Sequence, residues 1–216
     1  AATVWPIEQM SSRSPSTVNS AVRRISSGRT RRPRYSSLPC GSSYSWKTLR
    51  TVVGKMLDQY PQGVLVEEYI SGIDVTVPFV EGIGEPANEG VLAPVEYVID
   101  SSVRSKYNLL DYRLKNRDSN KVKLRCPAEL PRDVIARLRV LTKQIVRLLA
   151  IRDVARIDYR LAEDGRIYFL EVNALPALDH SSSVMLATRR EGLSFDATIN
   201  AILASSAASF SMLMGL

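Results

Sequence analysis

The stretch from Arg156 to Asn173, RIDYRLAEDGRIYFLEVN, restricts the fold more than any other part of this chain. Two runs rich in β-branched and aromatic residues flank Asp164-Gly165, and Asp-Gly between such runs is a strong local signal for a β-hairpin. With Asp164 and Gly165 in the turn, Glu163 faces Arg166, and cross-strand partners have numbers summing to 329. That register sets Asp158 opposite Glu171 and Arg156 opposite Asn173. Side chains alternate faces along a strand, so these four share one side of the hairpin. Ile157, Tyr159 and Leu161, against Tyr168, Leu170 and Val172, form the expected buried side.

Two carboxylates directly across a ladder repel each other. At ~5 Å and an effective dielectric of ~20 the cost is roughly 3 kcal/mol. A divalent cation between Asp158 and Glu171 reverses the sign, and Asn173 adds a neutral oxygen on the same side. Oxygen ligands with no Cys or His beside them suit Mg²⁺, which commonly takes one or two carboxylates plus substrate phosphates. The plainer alternative is a solvated strand face on which Asp158 pairs with Arg156 or Arg160.

Upstream, Leu49, Val52, Val53, Met56, Leu57 and Tyr60 follow the spacing of an amphipathic helix, stopped by Pro61 and Gly63. Val64–Ile70 reads as a buried strand, Ser71-Gly72 as a turn, DVTVPFVEG as a second strand and Val91–Asp100 as a third. Pro94 hints at an edge or a bulge there. The polar stretch Ser101–Asn120 reads as a long loop. Pro131 opens a helix whose apolar stripe, Val134, Leu138, Leu141, Ile145 and Leu148, lasts to about Ala150. After the hairpin and the loop ALPALDHSS, serines start a short helix that ends before Gly192. Ser194 caps a last helix through about Ser206. The order of elements predicts an α+β layer structure with a mainly antiparallel sheet.

Charge divides unevenly along the 216 residues. The net charge is +7, yet ten Lys and Arg and no Asp or Glu lie between Gln9 and Leu57, which leaves the remainder at −3 (nineteen cations against 22 acids). Residues 1–46, rich in Ser and Arg, show no periodicity, and such composition buries too little apolar surface to offset ordering entropy. They are expected to be an irregular basic segment ahead of a folded domain over 47–216. The arm has few aromatics and no folded nucleic-acid motif, so nucleic acid is not the expected partner. Only Cys40 and Cys126 are present, which excludes a disulfide framework and fits the reducing cytoplasm. No apolar run approaches the ~20 residues that span a bilayer, so no membrane partner is expected.

Taken together, VLVEEYISGIDVTV, DYRLKN, ARIDYRLAEDGRIYFLEVNALP and HSSSVMLATRREGLSF resemble, in that order, the C-terminal half of an ATP-grasp ligase of the D-alanine–D-alanine ligase group. The resemblance runs from about Leu49 to Leu203 and implies an ATP-grasp fold. It implies ATP and two Mg²⁺ ions as cofactors, with amino acids or small carboxylates as substrates. Glu67, Glu68 and Ile70 match the adenine segment, Asp74 the acid on the ribose hydroxyls, and Lys115 a lysine on the phosphates. Asp158, Glu171 and Asn173 match the magnesium ligands, and Arg156 an arginine that stabilises a charged tetrahedral intermediate. Ser181, Ser182 and Ser183 match the site of a substrate carboxylate, where a helix N-terminus favours an anion; simple capping is their plainer role. His180, the only histidine, reads as loop structure or a substrate contact. The implied reaction passes from carboxylate to acylphosphate to amide, releasing ADP and phosphate.

The pattern departs from the family at several points. Nothing matches its N-terminal domain, Leu38 stands where a phosphate-gripping lysine belongs, Asn116 follows Lys115 in place of tyrosine, and Ala177 replaces a glycine. The alternatives to a working ligase are therefore a truncated remnant that at most binds nucleotide, or a polyanion-binding protein acting through the arm. A missing N-terminal half on a companion chain, or a homodimer, is the expected partner of an active form.

Overall fold

The computed structural model describes residues 46–59, 61, 69–103 and 119–214. Among them are helix α1 (Trp46–Gln59), strands β1 (Gly72–Val80), β2 (Val95–Ile99) and β3 (Val122–Arg125), helix α2 (Arg132–Leu148), strands β4 (Val154–Ala162) and β5 (Ile167–Asn173), and helices α3 (Ser183–Arg190) and α4 (Phe195–Met214). The strands make one antiparallel sheet in the order β3-β2-β1-β4-β5. Residues 64–68 of the strand expected over Val64–Ile70, the basic segment 1–45 and most of the loop 101–120 lie outside the described residues, and Tyr69 and Ile70 are not in a strand.

Alternation along β1 and β4 sorts their side chains into two cores. On one face Val75, Val77, Ile157 and Tyr159 are fully buried and pack with Val134 and Leu138 of α2. The buried Tyr159 hydroxyl and Thr142 Oγ1 of α2 lie 2.7 Å apart in a hydrogen bond, so the helix is tied to the sheet by a polar contact as well. On the other face Val80 and Val95 meet Val184 and Ala187 of α3 and Ile202 of α4. That second core covers only one end of the face. The rest carries Asp74, Thr76, Arg156, Asp158 and Arg160.

Several sequence-based expectations need correction. The hairpin turn is a three-residue loop, with the Gly165 N–H donating to Ala162 O at 2.9 Å and the Ala162 N–H to Arg166 O at 2.9 Å. Gly165 has φ +81°, the left-handed residue that such loops require, so Ala162 and not Glu163 faces Arg166. Near the turn the partners therefore sum to 328, as in Tyr159↔Phe169 and Leu161↔Ile167. A β-bulge between Asp158 and Tyr159 then absorbs one residue of β5 and restores Asp158↔Glu171 and Arg156↔Asn173. As a consequence Ile167 and Phe169 replace Tyr168 and Leu170 on the core side: Tyr168 lies opposite Arg160, and Leu170 at the bulge is 47% exposed.

Strand β3 was not foreseen. Its four residues are too short for periodicity to show, and it is held by pairing with β2 and by the Arg125–Glu96 ion pair at 2.8 Å. Strand β2 begins just after Pro94 and is an interior strand, not an edge. The last helix, capped by Ser194 Oγ accepting from the Ala197 N–H at 3.1 Å, runs on to Met214. Beyond the expected end, Ser209 Oγ donates to Asp153 Oδ1 at 3.2 Å, which ties that extension to the residue before β4. Among the described residues no helix is long and apolar enough to cross a membrane.

Gly72 opens the β1–β4 ladder with φ +152°, and a Cβ there would fall 2.0 Å from Leu161 O. Backbone, unlike a side chain, cannot step aside. Gly72→Ala is expected to lower stability by at least about 2 kcal/mol, seen as a lower urea midpoint at unchanged slope.

Candidate functional site

The other end of the second face is polar because every second residue of β4 there is charged. Arg156, Asp158 and Arg160 alternate with the core residues Ile157 and Tyr159, and β1 and β5 flank them on either side. Asp158 faces Thr76 across β1 and Glu171 across β5; Arg156 faces Asn173. The hairpin thus brings together the four residues that the sequence singled out.

Repulsion within this group is met by interleaved arginines. Arg156 grips Asp158 with both ends of its fork, Nε to Oδ1 and Nη2 to Oδ2, each at 2.8 Å. This is the arginine pairing weighed above beside metal binding. Both groups are largely shielded from solvent. Burial works against the Arg156 charge, but the bond to Asp158 and the neighbouring carboxylates outweigh it and hold the guanidinium above its ordinary value. Thr76 Oγ1 adds a 2.7 Å hydrogen bond to Asp158 Oδ1.

A second cluster adjoins the first. Arg160, 3% exposed, donates from Nε to Ile70 O at 2.9 Å. Its Nη1 lies 3.0 Å from Asp74 Oδ1, close enough to pair charges although the angle is not that of a hydrogen bond. Its Nη2 donates to the Tyr69 hydroxyl at 3.4 Å, and the guanidinium sits 5.7 Å from the Tyr69 ring centre. One buried arginine therefore joins Ile70 and Asp74, two positions assigned to nucleotide. Arg160 was not among the expected site residues, although the alternation Arg-x-Asp-x-Arg already set it on the same face as Asp158.

Tyr97 of β2 was missed as well. Burial pushes its phenol up to about 12, with Arg156 pulling it down and Asp158, Asp74 and Glu171 pushing it further. Its electrostatic neighbours are thus the acids and arginine of the site.

The donor set fits a hard divalent cation. Among the described residues no group of three or more His, Cys, Asp and Glu is arranged to hold a metal, so a cation here would rest on Asp158, Glu171 and the amide oxygen of Asn173. These are hard oxygen donors, two of them charged, which suits Mg²⁺ shared with phosphate. A carboxylate has about four lone-pair sites. Oδ1 of Asp158 accepts from Thr76 and Arg156, whereas Oδ2 accepts one bond and keeps a lone pair. Asn173 Oδ1 accepts one bond, from the Leu175 N–H at 3.3 Å.

The serines lie where expected, at the start of α3. Ser182 is the cap, its hydroxyl accepting from the Met185 N–H at 3.3 Å. Ser183 is buried in the first turn, and exposed Ser181 hydrogen-bonds to Asp179 through both its N–H and its hydroxyl. Those bonds, the hydroxyl's first, hold the Asp179 carboxyl below its usual range. His180 stacks on Phe195 with ring centres 4.1 Å apart. Glu67, Glu68 and Lys115 lie outside the described residues.

Residues 34–204, well over half of the chain, match the family described as D-ala D-ala ligase C-terminus. The chain belongs to this family. A D-alanine–D-alanine ligase of Aquifex aeolicus is 30% identical over 141 residues, which make up 65% of this chain and 43% of that protein. D-alanine–D-alanine ligase A of Pseudomonas putida is 36% identical over 120 residues, 55% of this chain and 32% of that protein. The chain spans less than half the length of these relatives. The crystal structure of the Bacillus anthracis D-alanine–D-alanine ligase complexed with ATP superposes with a TM-score of 0.57 at 18% identity, covering 77% of this chain and 48% of that one. The fold of this family member is accordingly the ATP-grasp arrangement of a D-Ala–D-Ala ligase C-terminal region.

In this family member the Tyr97 phenol is protonated at neutral pH and stays so beyond the ordinary value of 10.0. Because its folded pKa is raised, the folded state holds this proton more tightly. The corresponding stability is complete below pH 10, and is lost as pH climbs from about 10 to about 12. Tyr97→Phe should remove one late-ionising tyrosine from an ultraviolet pH titration and flatten the alkaline fall in stability.

Proposed function

We propose that this chain is the nucleotide-binding part of an ATP-dependent carboxylate–amine ligase of the D-alanine–D-alanine ligase type. The supporting observation is the register that sets Asp158 against Glu171 and Arg156 against Asn173 on one face of the sheet. Membership of the family makes that arrangement a candidate for chemistry. In this reading Asp158, Glu171 and Asn173 hold up to two Mg²⁺ ions. The ions supply charge neutralisation for phosphoryl transfer from ATP to a substrate carboxylate.

The chain's own residues bind and orient. Ile70 lies against the adenine and Asp74 takes the ribose hydroxyls, with Arg160 fixing the position of both. Glu67, Glu68 and Lys115 complete the nucleotide contacts. Arg156, already charged and directed by Asp158, is turned toward the anionic tetrahedral intermediate that forms when an amine attacks the acylphosphate. No nucleophilic side chain is needed. Ser181, Ser182 and Ser183 receive a substrate carboxylate at the α3 N-terminus, and the remaining amino-acid contacts come from protein outside this chain. A reaction that consumes ATP belongs in the cytoplasm.

Calorimetric titration with Mg-ATP tests the reading. Wild type is expected to bind, and Asp158→Asn to bind about ten- to a hundredfold more weakly, the loss of one charged contact costing roughly 1.5–3 kcal/mol. Release of ADP dependent on D-alanine or another amino acid then separates a ligase from a remnant that only binds. A wild-type chain with no affinity for Mg-ATP would remove the proposal.

A further inference from the structure

We propose that Thr76 is a positioning residue that holds the Asp158 carboxylate in the orientation a divalent cation requires; this rests on the ligand role given to Asp158 above. Thr76 stands directly across the β1–β4 ladder from Asp158 and is wholly inaccessible to solvent. Its Oγ1 lies 2.7 Å from Asp158 Oδ1 and 3.3 Å from Ile157 O. A hydroxyl has one proton to give, and the shorter bond to the stronger, charged acceptor takes it.

The arrangement divides the carboxylate by function. Oδ1 is saturated by Thr76 and Arg156 Nε, and Oδ2, bonded once by Arg156 Nη2, is the oxygen left with capacity. Arg156 sits on the same strand as Asp158, two residues away. Thr76 reaches in from β1, 82 residues distant in the chain. The Arg156 fork sets the plane of the carboxylate from its own strand, and Thr76 fixes the position of Oδ1 from the neighbouring one, so the group is held from two directions. Branching at Cβ restricts the Thr76 side chain on a strand, so the hydroxyl is itself held in place. Valine would satisfy strand preference and packing there equally well. The bond to Asp158 is what offsets the cost of burying a hydroxyl at this position.

The test uses the full chain with ATP fixed and Mg²⁺ varied. The readouts are the Mg²⁺ concentration at half-saturation of nucleotide binding and the thermal midpoint without ligand. Thr76→Val, which keeps the shape and removes the hydroxyl, is expected to raise the half-saturating Mg²⁺ by about ten- to a hundredfold, the usual effect of losing a partner of a metal ligand. Thr76→Ser, which restores a hydroxyl, should return it to within about threefold of wild type. Should Thr76→Val not fold, Thr76→Ala is read in the same way with the same expected shift. An unshifted Mg²⁺ dependence in the folded hydroxyl-free variant overturns the inference, as does a folded serine variant with no recovery. A wild-type chain that shows no Mg²⁺-dependent ATP binding instead overturns the ligand role of Asp158 and this inference with it, and that outcome is read from wild type alone.

Discussion

Strand β4 is paired on both sides, with β1 along its full nine residues and with β5 across the hairpin. A strand in that position has no freedom to rotate about its axis, so each side chain must point to one face or the other. The odd-numbered residues from Ala155 to Leu161 enter the core against α2, and the even-numbered ones from Arg156 to Arg160 are committed to the opposite side. Burial of the first set is what forces three charged groups of β4 into one patch, with Asp74 of β1 and Glu171 of β5 beside them. The polar face is thus a by-product of the core, and its geometry is as rigid as the core that imposes it.

Concentrated charge on a rigid surface has to be neutralised locally. Arginine serves this purpose better than lysine, because its planar fork engages two oxygens at once and remains charged when shielded from water. Arg156 chelates Asp158, and Arg160 spans Asp74, Ile70 and Tyr69. The two clusters lie side by side along β4; Thr76 bonds Asp158 from β1, and Tyr97 of β2 feels the charges of Arg156, Asp158, Asp74 and Glu171.

The hairpin brings Asp158 opposite Glu171 by two offsetting irregularities. A three-residue loop displaces the strands by one position, and the bulge opposite Asp158 takes the displacement back. The simple two-residue turn read from Asp164-Gly165 gives the same pairing at Asp158 and Glu171 for a different reason, and misplaces Tyr168 and Leu170 between them. Bulges sharpen local twist and re-aim the side chains beside them. Here the bulge sits at the rung that carries both acids.

The linear pattern of residues was enough to establish the antiparallel α+β layering, the α2 stripe from Val134 to Ile145 (though not its expected end at Leu148, which is exposed), the serine caps, the family, and the shared face of Arg156, Asp158, Glu171 and Asn173. All of these depend on alternation, turn chemistry or motif order, which act over a few residues or along a collinear match. It did not reveal β3, the bulge, the continuation of α4 to Met214, or the roles of Thr76, Tyr97 and Arg160. Those depend on which strand lies beside which, a choice made by packing between segments up to some 90 residues apart. Alternation tells a residue which way to face; only the assembled sheet supplies the neighbour that it meets there.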